Sequence, residues 1–216
     1  MAFDFKKEYK EFYMPQNKPA IIEIPKMNFV AVKGKGDPNT EDGEYKKALN
    51  ILYKISYTLK MSYKTDYKIN GFFEYVVPPL EGFWWQDDFE HNINYSDKEG
   101  FFWISLIRLP DFITKEDFLW AINKASDKID PSFAEFMTYD EGLCVQCMHI
   151  GSYDNEVETI SAMTEFAKEN GFKIDITDRR FHHEIYLSDP SKVEASKLKT
   201  VIRLPVKSSK LKIEKL

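Results

Sequence analysis

The tetrapeptide Ile107-Arg108-Leu109-Pro110 returns as Ile202-Arg203-Leu204-Pro205, and this echo governs how the chain is read. Each copy lies in a strand-like run, Phe101 to Leu109 in the first case and Thr200 to Lys207 in the second. Self-similarity at long spacing points to repeated supersecondary units. Working outward, each copy follows the same series of strand, Gly-containing turn, long helix and strand. In the first half these are Asn28 to Lys33, the turn of residues 34–40, a helix with Tyr45, Ala48, Leu49, Leu52, Ile55, Ser56 and Leu59 on one side, and Gly71 to Val77. In the second they are Leu143 to Ile150, Gly151-Ser152-Tyr153, a helix capped by Asp154 and ended by Gly171 after Asn170, and His182 to Leu187. Steps of three and four residues mark the helices, and alternation marks the strands. A shorter helix is expected after Thr114, which is placed to cap it with Asp117, while Ile113 and Phe118 form a hydrophobic staple.

The predicted fold is therefore α+β, a tandem βαββ duplication whose antiparallel sheet carries both long helices on one face and a central ligand groove where the units meet. The halves are residues 19–130 and 131–207. Residues 1–18, with Phe3, Phe5, Tyr9, Phe12 and Tyr13, form an aromatic arm that docks by its rings, and residues 208–216 form a short basic tail.

Within His182-His183-Glu184-Ile185-Tyr186-Leu187, side chains alternate faces, so His182, Glu184 and Tyr186 point one way and His183, Ile185 and Leu187 the other. The second set reads as core. The first set suits a polar floor in an aromatic pocket, against the plainer reading of a solvated edge-strand Glu. Setting Glu74-Tyr75-Val76-Val77-Pro78 against Glu184-Ile185-Tyr186-Leu187-Ser188 makes Glu74 a pseudo-symmetric carboxylate. Aromatic residues make up 15% of the chain, with 17 Phe, 12 Tyr and 4 Trp, more ring surface than packing usually uses. Trp84, Trp85, Trp103, Tyr139 and Tyr186 are the expected stacking faces around Glu184 and Glu74. Desolvation in such a cleft is expected to raise the pKa of Glu184, making it a usable general base, with Tyr186 or His182 donating a proton or orienting water.

A net charge of −5 and the lack of a basic face argue against direct DNA binding. The N-terminus lacks the apolar core of a signal peptide, and no run is long enough to span a membrane, so a cytoplasmic protein is expected. Cys144 and Cys147 lie in a strand pattern, three apart and on opposite faces, and read as buried free thiols. The adjacent histidines also face opposite ways, and only His182 shares a face with Glu184. His91 and His149 add no helpful spacing, so neither a metal site nor a cofactor is assigned.

The run from His182 to Pro190, followed by Leu198 to Val206, resembles the C-terminal signature of the GyrI-like small-molecule-binding proteins. Val145-Gln146-x-Met148-His149-Ile150-Gly151-x-Tyr153-Asp154 and Phe101-x-Trp103 are similar to two further segments of that family, and the match runs from about residue 19 to residue 207. The resemblance is to the stand-alone branch with two fused, SHS2-type βαββ units. It implies a ligand that is a hydrophobic, planar aromatic molecule, cationic in the related multidrug-responsive effector domains, which meet it with a buried Glu. It also implies an alternative, since some stand-alone relatives hydrolyse the cyclopropane ring of DNA-alkylating natural products. Sequestration of a toxin, or a protein partner as for gyrase inhibitors of the family, is a further expectation of the resemblance.

Overall fold

The computed structural model describes residues 2–86, 94 and 97–209. The arm folds as two short helices, α1 (Phe5–Glu8) and α2 (Lys10–Tyr13). The body then runs β1 (Ala20–Ile24), β2 (Met27–Lys35), α3 (Glu44–Lys60), β3 (Leu80–Trp85), β4 (Phe102–Leu109), α4 (Lys115–Ala125), β5 (Ala134–Tyr139), β6 (Gly142–Ile150), α5 (Glu156–Glu169), β7 (Phe172–Ile174), β8 (His182–Tyr186) and β9 (Lys199–Ser208). All strands pair antiparallel in a nine-stranded sheet of order β1-β6-β9-β8-β3-β4-β2-β5, with β7 beside β9. Its middle is mirrored: β2-β4-β3 from one half meets β6-β9-β8 from the other, and the halves join along β3 and β8.

One expected strand is corrected. Gly71 to Val77 pairs its backbone through an isolated parallel bridge between Phe3 and Tyr75 and otherwise packs by its rings, and Leu80–Trp85 takes the place in the sheet. Leu80–Trp85 pairs on both sides, with β4 and with β8, and the Pro78-Pro79 break sets it off from Gly71 to Val77. Glu74 is therefore not the counterpart of Glu184; Gly82 is the residue that faces Glu184 across the join.

The sheet does not lie flat. β1 sits at one edge and β2 next to the other, yet only Pro25 and Lys26 link them, and only Asp140 and Glu141 link edge strand β5 to β6. Strands about 4.8 Å apart would separate those edges by tens of ångströms if the sheet were flat. The sheet must curl, and its inner face holds Ile24, Phe29, Phe83, Leu106, Cys144 and Phe181 in one core cluster. Phe83 on β3 and Tyr139 on β5 bring their ring centroids within 4.7 Å despite two intervening strands.

The two long helices cover the outer face. Helix α3 buries Ala48, Ile51, Leu52, Ile55 and Leu59 against a cluster that includes Val30, Trp103 and Ile107. Helix α5 buries Met163 and Ala167 against Val145, Cys147 and Ile202. Cys144 and Cys147 are both free and buried, in different clusters. Thr114 caps α4 through a reciprocal box: its Oγ1 accepts from Asp117 N at 3.2 Å, and Asp117 Oδ2 accepts from Thr114 N at 2.8 Å. The expected Asp154 cap is not found; Ser152 caps a single 3-10 turn, Tyr153–Asn155, and α5 follows from it. Most of the basic tail, part of the acidic loop before Gly100 and His91 lie outside the described residues.

The inner face carries an unexpected charge network. His183, read above as core, sits between two carboxylates, with Nδ1 2.9 Å from Glu141 Oε1 and Nε2 2.9 Å from Glu81 Oε2. Arg203 donates to Glu141 Oε2 at 3.2 Å and to the carbonyl of Phe12 at 2.6 Å. The arm closes over this network. The Tyr13 hydroxyl donates to Glu81, Arg108 lies 4.7 Å over the Tyr9 ring and 5.0 Å over Phe5, and Arg203 lies 6.0 Å over Phe12. Both arginines of the repeated tetrapeptide are thus buried against arm rings, where cation–π contact offsets part of their desolvation.

Candidate functional site

A cavity of about 840 Å³ opens on the helical face where the halves join. Its walls come from α3 (Tyr45, Leu49), the 3-10 turn (Tyr153), the start of α5 (Glu156) and β8 (Glu184, Tyr186), with Trp84 on β3. Strand alternation explains why β8 presents Glu184 and Tyr186 here and sends His183 to the inner face. His149 fixes the turn that delivers Glu156: its ring nitrogens lie 2.8 Å from Thr159 Oγ1 and 3.0 Å from the carbonyl of Ser152.

Glu184 is 6% exposed, and both its carboxylate oxygens are held. Oε1 lies 2.9 Å from His182 Nε2, and Oε2 accepts from the Tyr186 hydroxyl at 2.8 Å. Tyr186 in turn accepts from the Trp84 indole N–H at 2.7 Å. The expectation of a raised Glu184 pKa is corrected. Burial does push it up and is the largest single influence, but the hydrogen bond and charge of His182 and the hydrogen bonds from Tyr186 and Glu156 outweigh it and hold the carboxyl below its ordinary value. Burial and the charge of Glu184 shift the surrounding phenols the other way: Tyr153 rises to about 12, and Tyr45 and Tyr186 rise well above their ordinary value. At neutral pH the cavity floor is therefore an anionic carboxylate ringed by protonated phenols, a site suited to attracting positive charge.

The other expected site residues divide. Trp103 lies on the same face but behind the wall, 1% exposed, with its ring edge-on to Tyr45. His182 is buried beneath Glu184 and does not line the cavity. Trp85 and Tyr139 are on the inner face, in the cluster of Phe83 and Phe181, because Trp85 is out of phase with Trp84 and β5 borders the opposite edge of the sheet. Glu74 is exposed and outside the cavity wall. Tyr45, Tyr153 and Glu156 were missed: each reaches the site from a helix or turn packed over the sheet, and no local pattern announces that. Glu156, His182 and Glu184 offer atoms within 4.8 Å of one another. His182 and Tyr186 already hold the two Glu184 oxygens, and we do not identify the three as metal ligands.

Gly82 makes this network fit. A Cβ there would stand 2.6 Å from Trp84 Nε1 and 3.1 Å from the Tyr186 hydroxyl. Gly82→Ala is expected to push Trp84 off Tyr186 and to cost about 1 to 3 kcal/mol, as overpacked sites do. A urea melt read by tryptophan fluorescence checks this; an unchanged midpoint and emission maximum would mean that the contact gives way freely.

The model of the GyrI-like small-molecule-binding domain matches residues 17–207. A solved structure of a hydrolase from Listeria innocua is 44% identical, covers 95% of this chain and 100% of its own, and superposes with a TM-score of 0.85. An uncharacterized conserved protein from the same organism is 45% identical over 95% of this chain and 100% of its own, with a TM-score of 0.87. The EcmrR C-terminal domain shares the fold at 13% identity, with 88% of this chain and 98% of its own covered and a TM-score of 0.54. No protein of curated function matches. With a family match across nearly the whole chain and a cavity between its two helices, this chain is a member of the GyrI-like small-molecule-binding family.

Proposed function

We propose that the protein binds flat, hydrophobic, cationic small molecules in the cavity between α3 and α5, acting in the cytoplasm as a xenobiotic- or toxin-binding protein without contacting DNA itself. Among the described residues no helix is long and apolar enough to cross a membrane. The observation that carries the reading is a buried carboxylate, hydrogen-bonded by His182 and Tyr186 and held below its ordinary pKa, at the floor of a cavity whose walls include Trp84, Tyr45 and Tyr153. A cation over such rings gains about 0.5 to 2 kcal/mol beyond its burial. The wall is preformed, since Trp84 and Tyr186 are already hydrogen-bonded to each other and the Tyr45 and Trp84 ring centroids lie 5.5 Å apart.

Hydrolysis is the second reading, favoured by the Listeria relatives described as hydrolases at 43–44% identity over nearly the full length. In it, Glu184 takes a proton from water as the oxygen attacks a strained ring carbon, Tyr186 holds the water or returns a proton to the opened ring, and His182, outside the cavity wall, orients Glu184. A carboxylate held below its ordinary pKa is a weak base, so the anchoring role is the better supported one.

The test is titration of intrinsic fluorescence with N-methylacridinium, followed by mass spectrometry of the small molecule. Saturable quenching is expected, and Trp84→Phe should remove most of its amplitude while Trp85, Trp103 and Trp120 remain. Quenching unchanged by Trp84→Phe would place the ligand elsewhere. A cyclopropane-bearing alkylator recovered with water added, only when Glu184 is intact, would make hydrolysis the function.

A further inference from the structure

Glu156 is fully buried, lines the cavity and stands within 4.8 Å of Glu184. It is the first residue of α5, delivered by the turn that His149 holds. Two buried carboxyl groups whose oxygens lie within 4.8 Å of each other resist ionising together, because their like charges repel with little water to screen them. One proton between them makes the contact favourable, and the pair then titrates as a unit.

We propose that Glu156 is a second anionic anchor: it shares one proton with Glu184 while the cavity is empty, and that proton leaves to solvent when a cation enters. The inference rests on the cavity being the ligand site and adds the class of ligand, with dications gaining more than monocations from the second charge. The charged and titratable groups facing the pair are His182 and Tyr186 from β8, Tyr45 from α3, Tyr153 and Asp154 from the 3-10 turn, Asp189 from the loop after β8, and Lys98 and Lys6 at the rim. Of these, Lys98 is paired to Asp154 at 3.6 Å, and the raised phenols keep their protons across the neutral range. Glu156 is therefore the carboxyl group with a proton to release, and the Glu156→Gln variant separates it from His182. Entry of a fixed positive charge repels that proton, which passes to buffer; no bond is made or broken elsewhere.

The experiment is isothermal titration calorimetry of the full chain with N-methylacridinium and with methyl viologen, a dication, in buffers of different ionisation enthalpy. Both probes carry permanent charge, so any proton released comes from the protein. The expected result is release of about one proton on binding the dication, and up to one for the monocation, with affinity rising as pH rises. Glu156→Gln should bind with no buffer dependence and lose more affinity for the dication than for the monocation. A ligand-free arm stands beside it: the infrared band of a protonated carboxyl should be present in the wild type at neutral pH and missing in Glu156→Gln. Binding without buffer dependence in the wild type, or a wild type lacking the carboxylic-acid band, overturns the inference and leaves the cavity reading intact. Absence of binding by any probe overturns both.

Discussion

Glu141→Ala is expected to destabilise the fold by about 3 to 5 kcal/mol, the largest effect of any single change considered for this chain. Glu141 is 4% exposed and accepts from His183 and Arg203, so its removal leaves a buried imidazole with one of its two partners and a buried guanidinium with two of its three. The loss should spread to the arm, because Arg203 also donates to the Phe12 carbonyl and lies over the Phe12 ring. The network also sets a pH window. Burial, the largest influence on Glu141, raises its pKa, but the charges of His183 and Arg203 and their hydrogen bonds overcome it and hold Glu141 at about 2, below its ordinary 4.5. A depressed carboxylate stabilises fully above its unfolded value, so this contribution disappears as pH falls from about 4.5 toward about 2. Burial lowers the His183 pKa, yet the charge and hydrogen bond of Glu141, with those of Glu81, raise it above its ordinary 6.5. A raised imidazole stabilises fully below the unfolded value and stops doing so as pH rises through the folded one. Urea denaturation across pH should therefore show a plateau between about 4.5 and 6.5 that falls on both sides. Glu141→Ala should flatten both flanks, and a variant as stable as wild type with unchanged flanks would show that the network contributes nothing net.

Glu184→Gln carries the second large effect, this time on binding. The substitution keeps the shape and one carbonyl acceptor for His182 or Tyr186, but removes the charge that these two hold at the cavity floor and leaves only Glu156, 0% exposed, where ionising costs the full desolvation of a buried carboxyl. Charge-assisted interactions of this kind are worth about 1.5 to 3 kcal/mol, so cation affinity should fall roughly 10- to 100-fold. Neutral flat ligands, held by Trp84 and Tyr45, should lose little. The folded state should be no less stable near neutral pH beyond about 1 to 2 kcal/mol, because the charge of Glu184 is itself poorly solvated. Equal weakening of charged and neutral ligands would mean that Glu184 shapes the cavity and does not read charge.

What the sequence revealed of this fold came from periodicity and repetition. The Ile-Arg-Leu-Pro echo falls in two central strands, β4 and β9, the helical spacing from Tyr45 to Leu59 located α3, and alternation through His182 to Leu187 put Glu184 and Tyr186 on one face. Two neighbouring runs, Gly71 to Val77 and Leu80 to Trp85, both look like strands, and only pairing on both sides chose between them. That choice cost the equivalence of Glu74 with Glu184. Curling of the sheet was also invisible locally, which is why Tyr139 and Trp85 were assigned to the cleft although they face inward. The arginines inside the echo were quoted as part of a repeat, and their burial beneath the arm depends on contacts between residues almost 200 positions apart, such as Arg203 with Phe12. Glu156 stood in view as an acidic residue at a helix start, where the helix dipole accounts for it without any site. Its meeting with Glu184 is a matter of how α5 lies over β8.

The central claim is that this cavity recognises positive charge on a flat molecule through Glu184. The most direct measurement is the ratio of dissociation constants for N-methylacridinium and its neutral isostere methylanthracene, in wild type and in Glu184→Gln, at neutral pH. The expected result is at least roughly tenfold preference for the cation in the wild type, collapsing toward equality in the variant. Equal affinity of the wild type for the two ligands, or a preference that survives in Glu184→Gln, would contradict it.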